Sequence, residues 1–234
     1  MFEGPAPDRS AVNPDRSAVY PDLFAVREVL VARGSADYPV GFVVNDERAE
    51  SRFWGHPLLG VIVRAVALAP HVLAMLVIGT IGLLWLVLVG WIPILLRGRV
   101  PSIQAEIFEE LIHRGSRMGA YMYLLPGYPP LGIGLPGPVD VRFDLEGRTM
   151  SRWWGIPILG LCARQIALAP HFLVLFVLGF YVGLVWLIVW IPIFINARIP
   201  NLAAKIFGSY LRYWARVMSY AFLLPVPYPP FALR

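Results

Sequence analysis

Ala67-Leu68-Ala69-Pro70-His71 recurs letter for letter as Ala167-Leu168-Ala169-Pro170-His171. Its surroundings recur with it. Ser51-Arg52-Phe53-Trp54-Gly55-His56-Pro57 returns as Ser151-Arg152-Trp153-Trp154-Gly155-Ile156-Pro157, Trp91-Ile92-Pro93-Ile94 as Trp190-Ile191-Pro192-Ile193, and residues 121–130 as residues 220–230. Self-similarity at a period of about 100 residues means one unit written twice, so any site is read from what both copies keep.

Of the 234 residues, 58% are hydrophobic and 15% charged. Soluble proteins carry about a quarter of charged residues, so a bilayer is expected to be part of this chain's solvent. The net charge of +5 is almost wholly arginine, with Lys205 the one lysine. Arginine suits phosphates, carboxylates and anionic headgroups. The arginines are scattered along apolar flanks in no dense block, so nucleic-acid binding is not expected. The N-terminus has no basic stretch followed by a short apolar core, so no secretory signal is expected. The single cysteine, Cys162, sits in an apolar run and is expected to be a buried, inert thiol.

Residues 1–36 form a polar, proline-bearing arm, with Tyr20 and Phe24 among its candidate anchors for a partner. The first repeat covers 37–130, a Gly/Pro linker 131–137, and the second repeat 138–234. Each repeat opens with alternation: Val40, Phe42 and Val44, then Val139, Val141, Phe143 and Leu145. This predicts two half-buried strands able to pair. Apolar stretches of close to 40 residues follow, over 57–96 and 157–195. Each fits a helical hairpin turning at the glycines (Gly79, Gly82; Gly179, Gly183), or an interfacial helix plus one long span. The hairpin is favoured because it returns the chain to its starting side and keeps the arginine flanks together.

Amphipathic helices are predicted over 102–125 and 201–224, with Ile103, Ile107, Leu111 and Met118, and Leu202, Ile206, Leu211 and Val217, on their apolar faces. Their charges, including Arg114, Arg117 and Arg216, favour a position in the headgroup plane. Glu106, Glu109 and Glu110 in one copy face Lys205, Gly208 and Ser209 in the other, which suggests pairing of the two helices through opposite charges. The expected class is an integral membrane, mainly α fold of two tandem repeats.

Signatures of metalloproteases, phosphate-binding loops and nucleophile elbows are absent from the sequence, so no catalysis is expected. Of the histidines, His71 and His171 repeat, each seven residues after an arginine, Arg64 or Arg164. Ionisable groups in apolar segments are costly and suggest function. Three readings stand open. Arg64 and Arg164 snorkel to headgroups while the histidines cap the break at each proline; or the Arg/His pairs line a proton or anion path; or the histidines ligate a haem or chlorophyll across the two-fold. Arg97, Arg99 and Arg198 are further candidates for lipid or ion contact. Trp54, Trp153, Trp154 and Trp214 join Tyr20 and Phe24 as candidate partner-binding residues.

The order Tyr38-Pro39-Val40, Ser51-Arg52, Pro70-His71 and Arg99-Val100-Pro101 resembles a bacterial membrane family, domain of unknown function 4389. In the second copy, Ser151-Arg152-Trp153, Pro170-His171, Arg198-Ile199-Pro200, Tyr220-Ala221-Phe222-Leu223-Leu224 and Tyr228-Pro229-Pro230-Phe231 carry the same likeness. It covers residues 37–231. The second copy departs from it at Gly137-Pro138, and the first at Leu131. The resemblance implies a multi-pass protein of the bacterial cytoplasmic membrane and brings no activity with it. The expected role is a non-catalytic accessory or scaffolding subunit of a larger membrane complex, in contact with lipid. A small transporter with its path near the Arg/His pairs is the alternative.

Overall fold

The computed structural model describes residues 38–44, 56, 59–125, 127–132 and 139–233. Tyr20, Phe24 and Trp54 lie outside the described residues. Among the described residues the chain is mostly helical, with one two-stranded sheet and two long apolar helices.

β1 (Val40–Val44) and β2 (Val139–Phe143) pair antiparallel, with Phe42 opposite Val141 at the centre of the ribbon. Alternation buries Val40, Phe42, Val139 and Val141 on one face and leaves Gly41 and Arg142 outward. Leu145 lies beyond the strand, in a turn that Gly147 allows with φ +68°.

α1 (Leu59–Ala67) breaks from α2 (Ala69–Trp85) at Leu68. Pro70 has no N–H for the preceding turn, and its fixed φ suits the first turn of the next helix. α5 (Leu159–Ala167) and α6 (Ala169–Asn196) separate in the same way at Leu168 and Pro170. Beyond the break, α2, a π turn (Leu86–Gly90) and α3 (Trp91–Arg97) form one rod of 29 residues. α6 is its counterpart of 28, and both are long and apolar enough to cross a membrane.

The hairpin expected inside each apolar stretch does not form, because the helices run straight through Gly79, Gly82, Gly179 and Gly183. A helical glycine costs only about 1 kcal/mol, too little to turn a helix this apolar. Gly82 instead admits a neighbour, since a Cβ there would lie 2.8 Å from Ile107.

The π turn has a cause in the sequence. His71 precedes Trp91 by 20 residues, and His171 precedes Trp190 by 19. The buried stripe runs His71, Gly82, Leu86, Gly90, Ile94 on the first rod and His171, Leu175, Val182, Val189, Ile193 on the second. The interval from Gly82 to Gly90 is one residue longer than that from Val182 to Val189. The wide turn absorbs the extra residue and keeps Ile94 equivalent to Ile193.

α4 (Ser102–Met122) and α7 (Asn201–Ala221) lie side by side and antiparallel. Phe108 stacks on Phe222 with ring centroids 5.0 Å apart, and Tyr123 on Phe207 at 5.2 Å. Phe108 and Phe207 hold equivalent positions in the two copies, as do Tyr123 and Phe222, so these contacts are related by an approximate two-fold. The pair meets through aromatic rings, not through the opposite charges expected of it. Glu106 and Lys205 are both exposed, at the outer parts of their helices.

The first rod packs antiparallel on α4, with Gly79 beside Leu111, Gly82 beside Ile107 and Phe108, and Gly90 beside Gln104. Gly179 sits beside Tyr210 in the matching pair of α6 and α7. The opposite side of α4 carries the ribbon, through His113 and Arg117. Three layers result: ribbon, α4 with α7, and rods.

Between two layers, α4 and α7 cannot keep all their charges outward. Arg114, Arg117 and Arg216 are buried, contrary to the headgroup-plane expectation, while Ile103 and Leu202 are 48% and 72% exposed. Cys162 is also exposed, not buried. α5 packs through Gly160 and Arg164, and residue 162 projects from the other side.

Candidate functional site

Arg64 and Arg164 do not snorkel to headgroups; both are buried and turned inward. Arg64 donates to the carbonyl of Tyr121 and lies over the Tyr121 ring, 4.6 Å from its centroid. Arg164 donates to Tyr220 O at 2.9 Å and Leu224 O at 3.3 Å, between the rings of Tyr220 and Trp154 at 4.2 and 5.0 Å. Tyr121 and Tyr220 are in the last turns of α4 and α7. Helix C-termini leave carbonyls unsatisfied and carry partial negative charge, so each arginine caps the amphipathic helix of its own copy. Burial pushes the Arg164 guanidinium down to about 10, so it remains a cation at neutral pH.

The histidines do not cap the proline breaks. His71 Nε2 is 3.0 Å from Pro129 O and its Nδ1 3.3 Å from the Tyr128 hydroxyl, which itself donates to Ala67 O at 2.8 Å. His171 departs from this pattern. Its Nδ1 is 2.5 Å from the Tyr213 hydroxyl, Phe231 stacks on its ring at 4.0 Å, and its Nε2 is buried without a hydrogen-bond partner. Tyr228 donates to Ala167 O at 2.9 Å, as Tyr128 does to Ala67. Each Arg/His pair thus clamps the Tyr-Pro-Pro segment after its amphipathic helix onto the break before its rod. Because α4 and α7 are antiparallel, the two clamps sit at opposite ends of that pair. Among the described residues, His71 and His171 share no hydrogen-bonding or ring partner. Among the described residues, no group of three or more His, Cys, Asp or Glu side chains is placed to hold a metal ion.

The other candidates divide. Arg97, Arg99 and Arg198 are exposed at the ends of the rods. Trp153 is 77% exposed. Trp154 is held against Arg164 and Trp214 against Gly115, so both, half-buried, serve contacts within the chain.

Two roles lay hidden in the sequence. Arg117 donates to Val139 O at 3.1 Å and pairs with Asp140 at 3.2 Å, which ties the ribbon to α4. Arg114 pairs with Glu110 at 2.6 Å and donates to Leu131 O at 3.2 Å. Burial holds the nearby His113 imidazole below its usual value, against the pull of Asp140. Burial also pushes the Tyr38 hydroxyl up, beside Arg216. The signal for Arg117 and Arg216 was present, since the repeat carries arginine at both positions. For Arg114, whose counterpart is Tyr213, there was none. The chain matches no protein-family model, no curated protein and no solved structure.

Proposed function

We propose that the chain is a non-catalytic accessory or scaffolding subunit of a larger membrane protein complex, built from two copies of one unit and held in the bacterial cytoplasmic membrane. The observation that carries this reading is the use made of Arg64, His71, Arg164 and His171. In both copies the arginine is turned onto helix-end carbonyls, while His71 bonds Pro129 of the segment that follows and His171 bonds Tyr213 of α7 and stacks on Phe231. These contacts support an architectural role for the four residues over an ion path along them. Membrane residence is supported by the rods, whose Leu, Ile, Val and Phe side chains are exposed along most of their length. Trp153, Arg97, Arg99 and Arg198 form the exposed aromatic and basic rim offered to lipid and partners.

Purification in mild detergent, with mass spectrometry and an absorption spectrum of the same eluate, tests the proposal. A fixed stoichiometry of larger membrane proteins is the expected result. A chain that elutes alone, with ion flux in liposomes that is lost in His71→Ala/His171→Ala, overturns it in favour of transport.

A further inference from the structure

We infer that the two apolar rods lie flat in one leaflet of the bilayer and do not cross it. The inference rests on the membrane reading above and adds the surface that meets lipid and its orientation.

The argument starts from shared inclination. The rod Ala69–Arg97 and α4 are antiparallel neighbours joined at both ends. At one end a four-residue turn connects Arg97 to Ser102; at the other, Arg64 reaches Tyr121, and Tyr128 reaches Ala67. α4 and α7 are likewise antiparallel, as are α7 and α6. All four long helices therefore stand up together or lie down together.

The ribbon decides which. It rests on the middle of α4, at His113 and Arg117, and Tyr38 beside it lies over Arg216 in α7. Upright helices would carry the ribbon at the depth of the bilayer centre. Its exposed Arg142, and Asp144, Glu146 and Arg148 in the following turn, would then face hydrocarbon. A charged, irregular segment does not survive there. Flat helices place the ribbon in water, α4 and α7 beneath it, and the rods in the hydrocarbon.

A surface-lying helix ordinarily has a polar face, and these rods are apolar all round. The layering supplies what they lack. Their upper stripe, from His71 to Ile94 and from His171 to Ile193, is covered by α4 and α7. The rest of the circumference exposes side chains such as Leu73, Leu76, Leu84, Leu88, Phe176 and Leu187. The basic residues agree. Because the rods are antiparallel, Arg97 and Arg99 fall at one edge of the layer and Arg198 at the other. In the flat arrangement both edges meet the headgroups of the same leaflet, where anionic lipid gathers arginine.

The test uses the full chain in its own membranes, with Cys162→Ser as background and one reporter cysteine at a time. Ser102→Cys marks one end of the first rod, Leu131→Cys the other, and Thr149→Cys the turn after β2, all at exposed positions. Labelling of all three by an impermeant maleimide from the same side, in sealed vesicles of each orientation, is expected. Labelling of Ser102→Cys and Leu131→Cys from opposite sides overturns the flat arrangement and leaves membrane residence intact. Release of the whole chain by alkaline carbonate overturns both. As an independent readout, fluorophores at Leu73→Cys, Leu84→Cys and Leu96→Cys are expected to be quenched equally by lipids brominated at one depth. A maximum at Leu84→Cys with centrally brominated lipid is the signature of a crossing helix and sinks the inference.

Discussion

Trp214 packs its ring against the backbone of Gly115, the residue that occupies its own position in the other copy. A Cβ on Gly115 would lie 2.6 Å from Trp214 Cη2. Gly115→Leu forces the two central helices apart and should destabilise the fold by about 1–3 kcal/mol, as overpacked sites do. Gly115→Trp alone should be worse still. Gly115→Trp combined with Trp214→Gly exchanges the two roles and should recover most of the loss. Thermal unfolding of the three variants in one detergent checks this, and a double variant no better than Gly115→Trp would refute the two-fold relation.

Arg164 caps α7 at the carbonyls of Tyr220 and Leu224, between two rings, and Arg64 caps α4 at the carbonyl of Tyr121, over the Tyr121 ring. Charged hydrogen bonds of this kind contribute about 1.5–3 kcal/mol. Arg164→Gln and Arg64→Gln should each lower the melting temperature. Lysine should rescue neither, since it lacks the planar fork. An unchanged melting temperature, or rescue by lysine, would show that the guanidinium contacts do not hold the helix ends.

Glu109 gives the fold a pH dependence of definite sign. Burial, reinforced by Glu106, raises its carboxyl to about 7. The folded state therefore binds a proton that the unfolded state releases near the ordinary carboxylate value. Stability falls as pH rises between about 4.5 and 7 and stays lower above that window. Glu109→Gln should flatten this slope in melting temperature and leave the variant the more stable protein at pH 8. An unchanged slope would assign the effect elsewhere.

The π turn predicts a tolerated deletion. Removing Val87 should convert Leu86–Gly90 to ordinary helix, as in α6, and keep Ile94 seated. Removing Leu184 from α6, which has no extra residue to lose, should rotate Ile193 and the following turn out of place. Comparable yields and melting temperatures for the first deletion and the parent, with loss of the second, are expected from detergent-extracted protein.

These relations show what the sequence made legible. The strand pair follows from alternation, and the breaks at Leu68 and Leu168 from Pro70 and Pro170. The Arg/His pairs were visible as a repeated spacing, but what they touch was not, because Tyr121 and Tyr220 lie more than 50 residues onward. The hairpin was misread for a related reason. Each rod is followed by a limb packed antiparallel on it, α4 or α7, whose charges disguised that limb as a surface helix. Arg114 and Arg117 become buriable only once Leu131, Val139 and Asp140 arrive as acceptors, and that is a long-range fact.

The Gly115–Trp214 contact also records what fusing two copies into one chain makes possible. In a symmetric dimer, a residue on the two-fold axis must face itself: two glycines leave a hole there, and two tryptophans collide. Only a chain that carries both halves can set a large ring against an empty position. A half that carries only glycine or only tryptophan at that position lacks the complement that the other half supplies.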